Sequence, residues 1–387
     1  MLHPITLQSP RKLVFGRECS RDCANDLAKN GIRRALVITG PNTSALAREL
    51  IAAMPFDVVL YDRIDQEPTI VMFEDAVSIA RESDVEAVIG VGGGSPLDVA
   101  KLVAALMDGS QRVQEVFGIG LLARRKTFLA CLPTTAGTGS EVSPNAILLD
   151  ESAQVKQGVV SPYLVPDATY IDPLLTTTMP SSVTAATGLD ALTHCIEAYT
   201  NRFAHPIVDV YALEGIRLIA QSLPAAVERG ADIETREKMS LGSMYGGLCL
   251  GPVNTAGVHA LAYPLGGRFH VAHGVSNAVL LPHVMQFNIS AAPERYAEVA
   301  IALGAKPQTD ALATARQGVE CVAQLSLRCG VPQSLRELGI AHGAIPWMAE
   351  TAMKVTRLMK NNPREIRLKD AEFIYSNAFV GQPIRVS

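Results

Sequence analysis

Two separated stretches of this chain carry residue types that hold cations. In GLDALTHCIEAY, Asp190 and His194 stand four apart, which places both on one face of a helix. Downstream, GVHALAYPLGGRFHVAHGVSNA supplies His259, His270 and His273, and its Pro-Leu-Gly-Gly stretch reads as a break that turns the chain back toward the same point. The chain has only eight histidines, so three of them within one short segment is a notable concentration. One carboxylate and three imidazoles form a mixed oxygen and nitrogen set suited to a divalent first-row metal, and Zn²⁺ and Fe²⁺ are both acceptable on ligand chemistry. The competing reading is a capping or surface Asp190 with separately placed histidines, and spacing alone leaves it open.

A different chemistry is written in VEAVIGVGGGSPLDVAK. A strand-like run ends at Val91, Gly92, Gly93 and Gly94 follow, and a helix is expected to open at Ser95 as N-cap, with Pro96 in its first position and Asp98 at the third. Free N–H groups at such a terminus, together with the helix dipole, favour an anion such as pyrophosphate. Gly90, Gly92 and Ser95 match the GxGxxG pattern only if its last glycine is relaxed, so the motif alone is weak. The bland alternative is a tight strand-to-helix turn. Three adjacent glycines carry an entropy cost that a plain turn does not need, which favours phosphate binding. A second loop, PTTAGTGSEVS from Pro133 to Ser143, offers the hydroxyls of Thr134, Thr135, Thr138 and Ser140 after another strand-like run. It could line the same crevice, since open parallel sheets bind ligands beyond the carboxyl ends of neighbouring strands; taken alone it also reads as a solvated turn.

These residues need elements to hold them. Short β-rich runs RALVIT, DVVLYD, EAVIGV, TFLACL, NAILLD and ATYID alternate with helical patterns such as NTSALARELIAAM and EDAVSIARESD, a rhythm that predicts a parallel sheet covered by helices. From Ser181 the pattern becomes helical throughout, in SVTAATGLDALTHCIEAYT, PIVDVYALEGIRLIAQSL, TREKMSLGSMYGGLCL and AAPERYAEVAIALG. The expectation is an α/β dinucleotide-binding domain with a parallel sheet over residues 1–180 and an all-α metal-binding domain over 181–387. A length of 387 residues supports two domains, and 48% hydrophobic against 19% charged residues excludes a disordered chain. A net charge of -4 gives no broad footprint for nucleic acid or anionic lipid. No export signal or membrane-spanning run is read at the start or elsewhere, and seven scattered cysteines without a CxxC pair point to a reducing, cytoplasmic setting.

In their order and spacing, GGGSPLDVAK, PTTAGTGSEV, GLDALTHCIEAY, the His259 to His273 segment and the tail NNPREIRLKDAEFIYSNAF resemble the iron-dependent (group III) alcohol dehydrogenase family over essentially the whole chain. The resemblance implies that Asp190, His194, His259 and His273 are the four metal ligands, with Fe²⁺ favoured and Zn²⁺ acceptable. It further implies that Gly92, Gly93, Gly94, Ser95 and Asp98 form the pyrophosphate loop and that Thr134, Thr135, Thr138, Ser140 and Val142 form the second cofactor loop. The implied activity is hydride transfer between NAD(P) and a small primary alcohol or aldehyde, in a homo-oligomer that is at least a dimer. Two departures stand out. Where many members carry a histidine four residues after the third ligand, this chain has Tyr263, so proton relay is divided between Tyr263 and His270. Where NAD-preferring members often carry an acidic residue after the first strand, this chain has Gly40, with Asn42 and Thr43 beside it, so NAD is favoured and NADP left open. Residues Pro252, Val253 and Asn254 are candidates for the substrate pocket. Rival readings are a maleylacetate reductase, which tends to lack the full metal set, a dehydroquinate-synthase-like lyase, and a nucleotide sensor without catalysis.

Overall fold

The protein is described by a computed structural model over residues 3–64, 67–151 and 155–381. These divide into two compact units, one of residues 7–179 and one of 180–381 with residues 3–6. In chain order the strands of the first unit are β1 Lys12–Phe15, β2 Arg34–Ile38, β3 Asp57–Tyr61, β4 Ala87–Gly92, β5 Gly118–Ile119, β6 Phe128–Pro133, β7 Asn145–Asp150, β8 Val155–Val160 and β9 Ala168–Ile171. Its helices are α1 Asp22–Lys29, α2 Ser44–Ala52, α3 Ile70–Glu82 and α4 Gly94–Leu106.

Six strands form a wholly parallel sheet in the order β1-β9-β6-β4-β2-β3. Strand β2 shows why it is buried on both faces. Leu36 and Ile38 enter one apolar core while Ala35 and Val37 enter the other, and all four are fully buried. Such strands lose the polar alternation of half-exposed ones and read as continuous apolar runs. The chain moves outward from β2 to β3 and then returns to β4 on the opposite side of β2. The reversal therefore falls between β2 and β4, whose carboxyl ends frame the crevice where open α/β sheets take ligands.

One expected strand lies elsewhere. NAILLD forms β7, but it pairs antiparallel with β8, from Asn145 opposite Val160 to Asp150 opposite Val155, in a separate three-stranded sheet ordered β5-β8-β7. Residues 134–144 contain no helix, and a parallel return within one sheet needs about a dozen or more residues, usually helical. The sixth place in the parallel sheet belongs to β1, whose residues align with Ala168 to Ile171 of β9.

The second unit is helical, with no strand among its described residues: α5 Ser181–Thr200, α6 Pro206–Glu228, α7 Ile233–Leu250, α8 Gly257–Phe269, α9 His273–Asn288, α10 Pro293–Ala302, α11 Ala311–Arg328, α12 Ile345–Met353, α13 Thr356–Met359 and α14 Leu368–Val380. Helix α5 is buried without interruption from Gly188 to Thr200, as expected of a helix at the centre of a bundle. The expected break at Pro264 does not occur. Pro264 is buried inside α8, and the chain turns only at His270, which caps the helix with φ 54 and ψ 29 in the left-handed region. No helix among the described residues is long and apolar enough to cross a membrane.

Candidate metal and cofactor sites

Three side chains of α5 that differ in sequence by four and three residues, Asp190, His194 and Glu197, share one helix face and are all buried. Buried charge is costly unless paired, and the pairs are present. Asp190 Oδ1 lies 3.8 Å from His194 Nε2, 3.6 Å from His259 Nε2 and 3.7 Å from His273 Nε2. A tetrahedral cation with bonds of ~2.0–2.2 Å holds its donors ~3.3–3.6 Å apart, close to these separations. The ligand atoms of Asp190, His259 and His273 all fall within 4.8 Å of one another. His194 joins them through Asp190 and by stacking on the His259 ring, with centroids 4.8 Å apart and planes inclined by 19°.

Helix α8 is fixed at its first turn by Glu197. One carboxylate oxygen accepts from the backbone N–H of Val258 at 2.6 Å, and the other meets His259 Nδ1 at 2.5 Å. A carboxylate there keeps the ring proton on Nδ1 and leaves Nε2 to face Asp190, the arrangement in which outer carboxylates orient metal-binding histidines. Burial pulls the His259 ring down, but the charge of Glu197 and hydrogen bonds to Asp190 and Glu197 outweigh it and push the ring up to about 9. Burial likewise raises the Asp190 carboxyl, yet the surrounding imidazoles, His194 foremost, hold it well below the usual carboxylate range.

His273 opens α9, and Asn277 follows one turn later. Its Nδ2 donates to Asp190 Oδ1 at 2.7 Å and also lies 3.1 Å from His259 Nε2 and 3.3 Å from His273 Nε2. Three atoms crowd one amide nitrogen, and Asn277 Oδ1 is buried without a hydrogen-bond partner among the described residues. The donors are thus arranged for a positive centre that an amide matches poorly. One oxygen and three nitrogens fit a divalent first-row cation.

In the other unit, the three loops read from the sequence follow three adjacent strands, β2, β4 and β6. The turn after β4 is tighter than expected. Gly93 rather than Ser95 is the N-cap of α4, so Ser95 lies inside the first turn, and Gly93 has no side chain to cap the helix. Gly92 has φ 151, a backbone conformation that side chains rarely adopt. A Cβ on Gly93 would lie 3.2 Å from Thr135 Cγ2, and one on Gly94 would lie 2.7 Å from Thr138 Cγ2. These two glycines therefore admit the second loop as well as leaving the helix N–H groups open. That loop is bonded to the first where Thr134 N–H donates to Gly92 O at 2.9 Å.

Gly93, Gly94, Ser95, Thr135 and Thr138 retain partial exposure, as a ligand-facing surface requires, whereas Thr134, Ser140 and Val142 are buried. Asp98 turns inward. Its Oδ1 accepts from Ser140 Oγ at 2.5 Å and its Oδ2 from Ile147 N–H at 2.9 Å, so its carboxylate braces the second loop instead of facing a phosphate. Gly40 is buried, and a Cβ there would lie 2.5 Å from Ile64 O, while Asn42 is exposed. His270 is exposed at the end of α8, and Tyr263 lies one turn beyond His259 on the same helix, half-buried.

Four buried polar side chains around these candidate sites escaped the motif reading: Glu197, Asn277, Lys101 and Glu141. The first two have a sequence signal, standing three residues after His194 and four after His273. Lys101 and Glu141 lie inside the quoted motifs, but burial, with each below 4% exposed, is what marks them.

Residues 10–173 match the iron-containing alcohol dehydrogenase family, and residues 184–379 match the C-terminal region of the Fe-containing alcohol dehydrogenase family. The chain belongs to the iron-containing alcohol dehydrogenase family and is an enzyme of that class. It is 39% identical over 372 residues to long-chain-alcohol dehydrogenase 1 of Geobacillus thermodenitrificans, covering 92% of each chain. It is 37% identical over 326 residues to 1,3-propanediol dehydrogenase of Citrobacter freundii, covering 84% of each. A crystal structure of 1,3-propanediol oxidoreductase superimposes with a TM-score of 0.93 at 32% identity, over 97% of this chain and 100% of that one.

Proposed function

We propose that this enzyme transfers a hydride between NAD and a small primary alcohol or aldehyde, with Asp190, His194, His259 and His273 holding one Fe²⁺. The carrying observation is the approach of three imidazole Nε2 atoms to one carboxylate oxygen of Asp190. When bound, the divalent cation supplies Lewis acidity toward the substrate oxygen. Glu197 holds the proton of His259 at Nδ1, which keeps Nε2 available as a donor. The open N–H groups of the α4 terminus receive the pyrophosphate, and the hydroxyls of Thr135 and Thr138 flank it. His270, exposed to water, suits proton exchange with solvent, and Tyr263, on the same helix as His259, is the second candidate for that role.

Gly40 leaves no acidic side chain beside the ribose, so NADP binds more readily here than in a chain with a carboxylate at that position. NAD remains the preferred reading. The full set of four donors argues against a maleylacetate reductase. We further assign the enzyme to the cytoplasm, as a homo-oligomer of at least two subunits that takes neither nucleic acid nor membrane as a partner. The test is oxidation of NADH and of NADPH by a panel of short aldehydes after anaerobic loading with Fe²⁺. Aldehyde-dependent turnover that disappears on chelation supports the assignment, and nucleotide binding without turnover on any aldehyde favours a sensor.

A further inference from the structure

Helix α4 carries a second device besides the phosphate turn. Asp98 and Lys101 stand three apart on one of its faces, and both reach the threonine loop. Lys101 has no exposed surface. Its Nζ donates to Ser140 O at 2.9 Å, Ser140 Oγ at 3.0 Å, Ser143 O at 2.9 Å and also to Asn145 O. An ammonium has three protons, so these four oxygens more than saturate it, and none belongs to a carboxylate. Opposing charge comes from Asp98 and Glu141 nearby.

A residue that only filled the core beneath α4 would be apolar, as Leu97, Val99, Leu102 and Val103 are. A buried cation is costly, and here every bond it makes falls within residues 140–145. Those bonds hold the end of the threonine loop against the helix whose first turn is the phosphate site. They thereby hold Thr135 and Thr138 against Gly93 and Gly94, where the fit leaves no room for a methyl group on Gly94.

We propose that Lys101 is a positioning residue for the dinucleotide: its buried ammonium sets the register between the two loops that bind it. The inference rests on the reading of this crevice as a dinucleotide site. The test measures NADH affinity by nicotinamide fluorescence, with metal content and steady-state kinetics, for the wild type, Lys101→Met and Lys101→Gln. Methionine removes every donor, whereas glutamine retains two. The NADH Kd and KM should rise about tenfold or more in Lys101→Met and less in Lys101→Gln, with kcat at saturating NADH within about threefold and metal content unchanged.

Affinity within about twofold of wild type in a folded Lys101→Met protein overturns the proposal. Unfolding of both variants also overturns it, because Lys101 would then hold the domain rather than the register of a loop. A wild type that fails to bind NADH overturns the dinucleotide reading itself, whereas wild-type binding with unaffected variants overturns only the role of Lys101.

Discussion

Both oxygens of Glu197 are committed, one to the first turn of α8 and one to the ring of His259, so a single carboxylate positions a helix and selects a tautomer. Glu197→Gln keeps the shape but loses the charge. Its affinity for Fe²⁺ or Zn²⁺ should fall about 10- to 100-fold, as measured by competition with a chromogenic chelator, while NADH affinity is unchanged. Unchanged metal affinity would remove Glu197 from the site. The cluster of Asp190 with His194, His259 and His273 was readable because aspartate and histidine are scarce on buried helix faces. His270 was harder to separate from His273. They are three apart and of one type, and what distinguishes them is the end of α8, where the left-handed backbone at His270 leaves that ring exposed while His273 opens the next helix.

Loop packing governs the elements around the glycine turn of α4. Gly94→Ala would place its Cβ 2.7 Å from Thr138 Cγ2 and should weaken NADH binding about tenfold or more with metal content intact. Adding Thr138→Ala removes the obstructing methyl, so the double variant should recover part of the loss in a double-mutant cycle of dissociation constants. Strictly additive losses would refute the contact. Glu141 adds a pH dependence. Burial pushes its carboxyl up to about 7, against opposing contributions from its own backbone N–H and from Lys101. A carboxyl raised in the folded state binds its proton more tightly there than in the unfolded chain, so its stability penalty is absent below the unfolded value and grows as pH rises toward 7. Glu141→Gln should therefore be more stable than wild type at pH 8, by up to about 3 kcal/mol, and nearly equal to it at about pH 4, as read from denaturant midpoints. The same advantage at both pH values would contradict the burial argument.

Motif spacing placed the glycine turn correctly but misplaced its cap by two residues, because a glycine can cap a helix without offering a side chain. It likewise read Pro264 as a break, whereas proline inside a packed helix is tolerated at the loss of one backbone hydrogen bond.

At the scale of the whole chain, the division into a parallel α/β unit and a helical unit was legible because hydrophobic periodicity changes near residue 180 and both units have apolar runs long enough to show it. Strand order was not legible. The four residues of β1 are too few to declare a pairing with β9, and the antiparallel course of β7 depends on a loop with no helix in it. Family membership extends over both units, with matches over residues 10–173 and 184–379, and the proposed function asks nucleotide binding of the first and cation binding of the second. The two should separate under mutation: changes at Gly94 affect nucleotide affinity, and changes at Asp190 or His259 affect metal content. The most direct measurement is aldehyde-dependent NADH oxidation by the anaerobically Fe²⁺-loaded enzyme and by its His259→Ala variant, each assayed before and after chelation alongside metal content and NADH affinity. The expected result is turnover in the loaded wild type alone, with NADH bound equally by both proteins. Full activity of His259→Ala after chelation would contradict the assignment of the metal site.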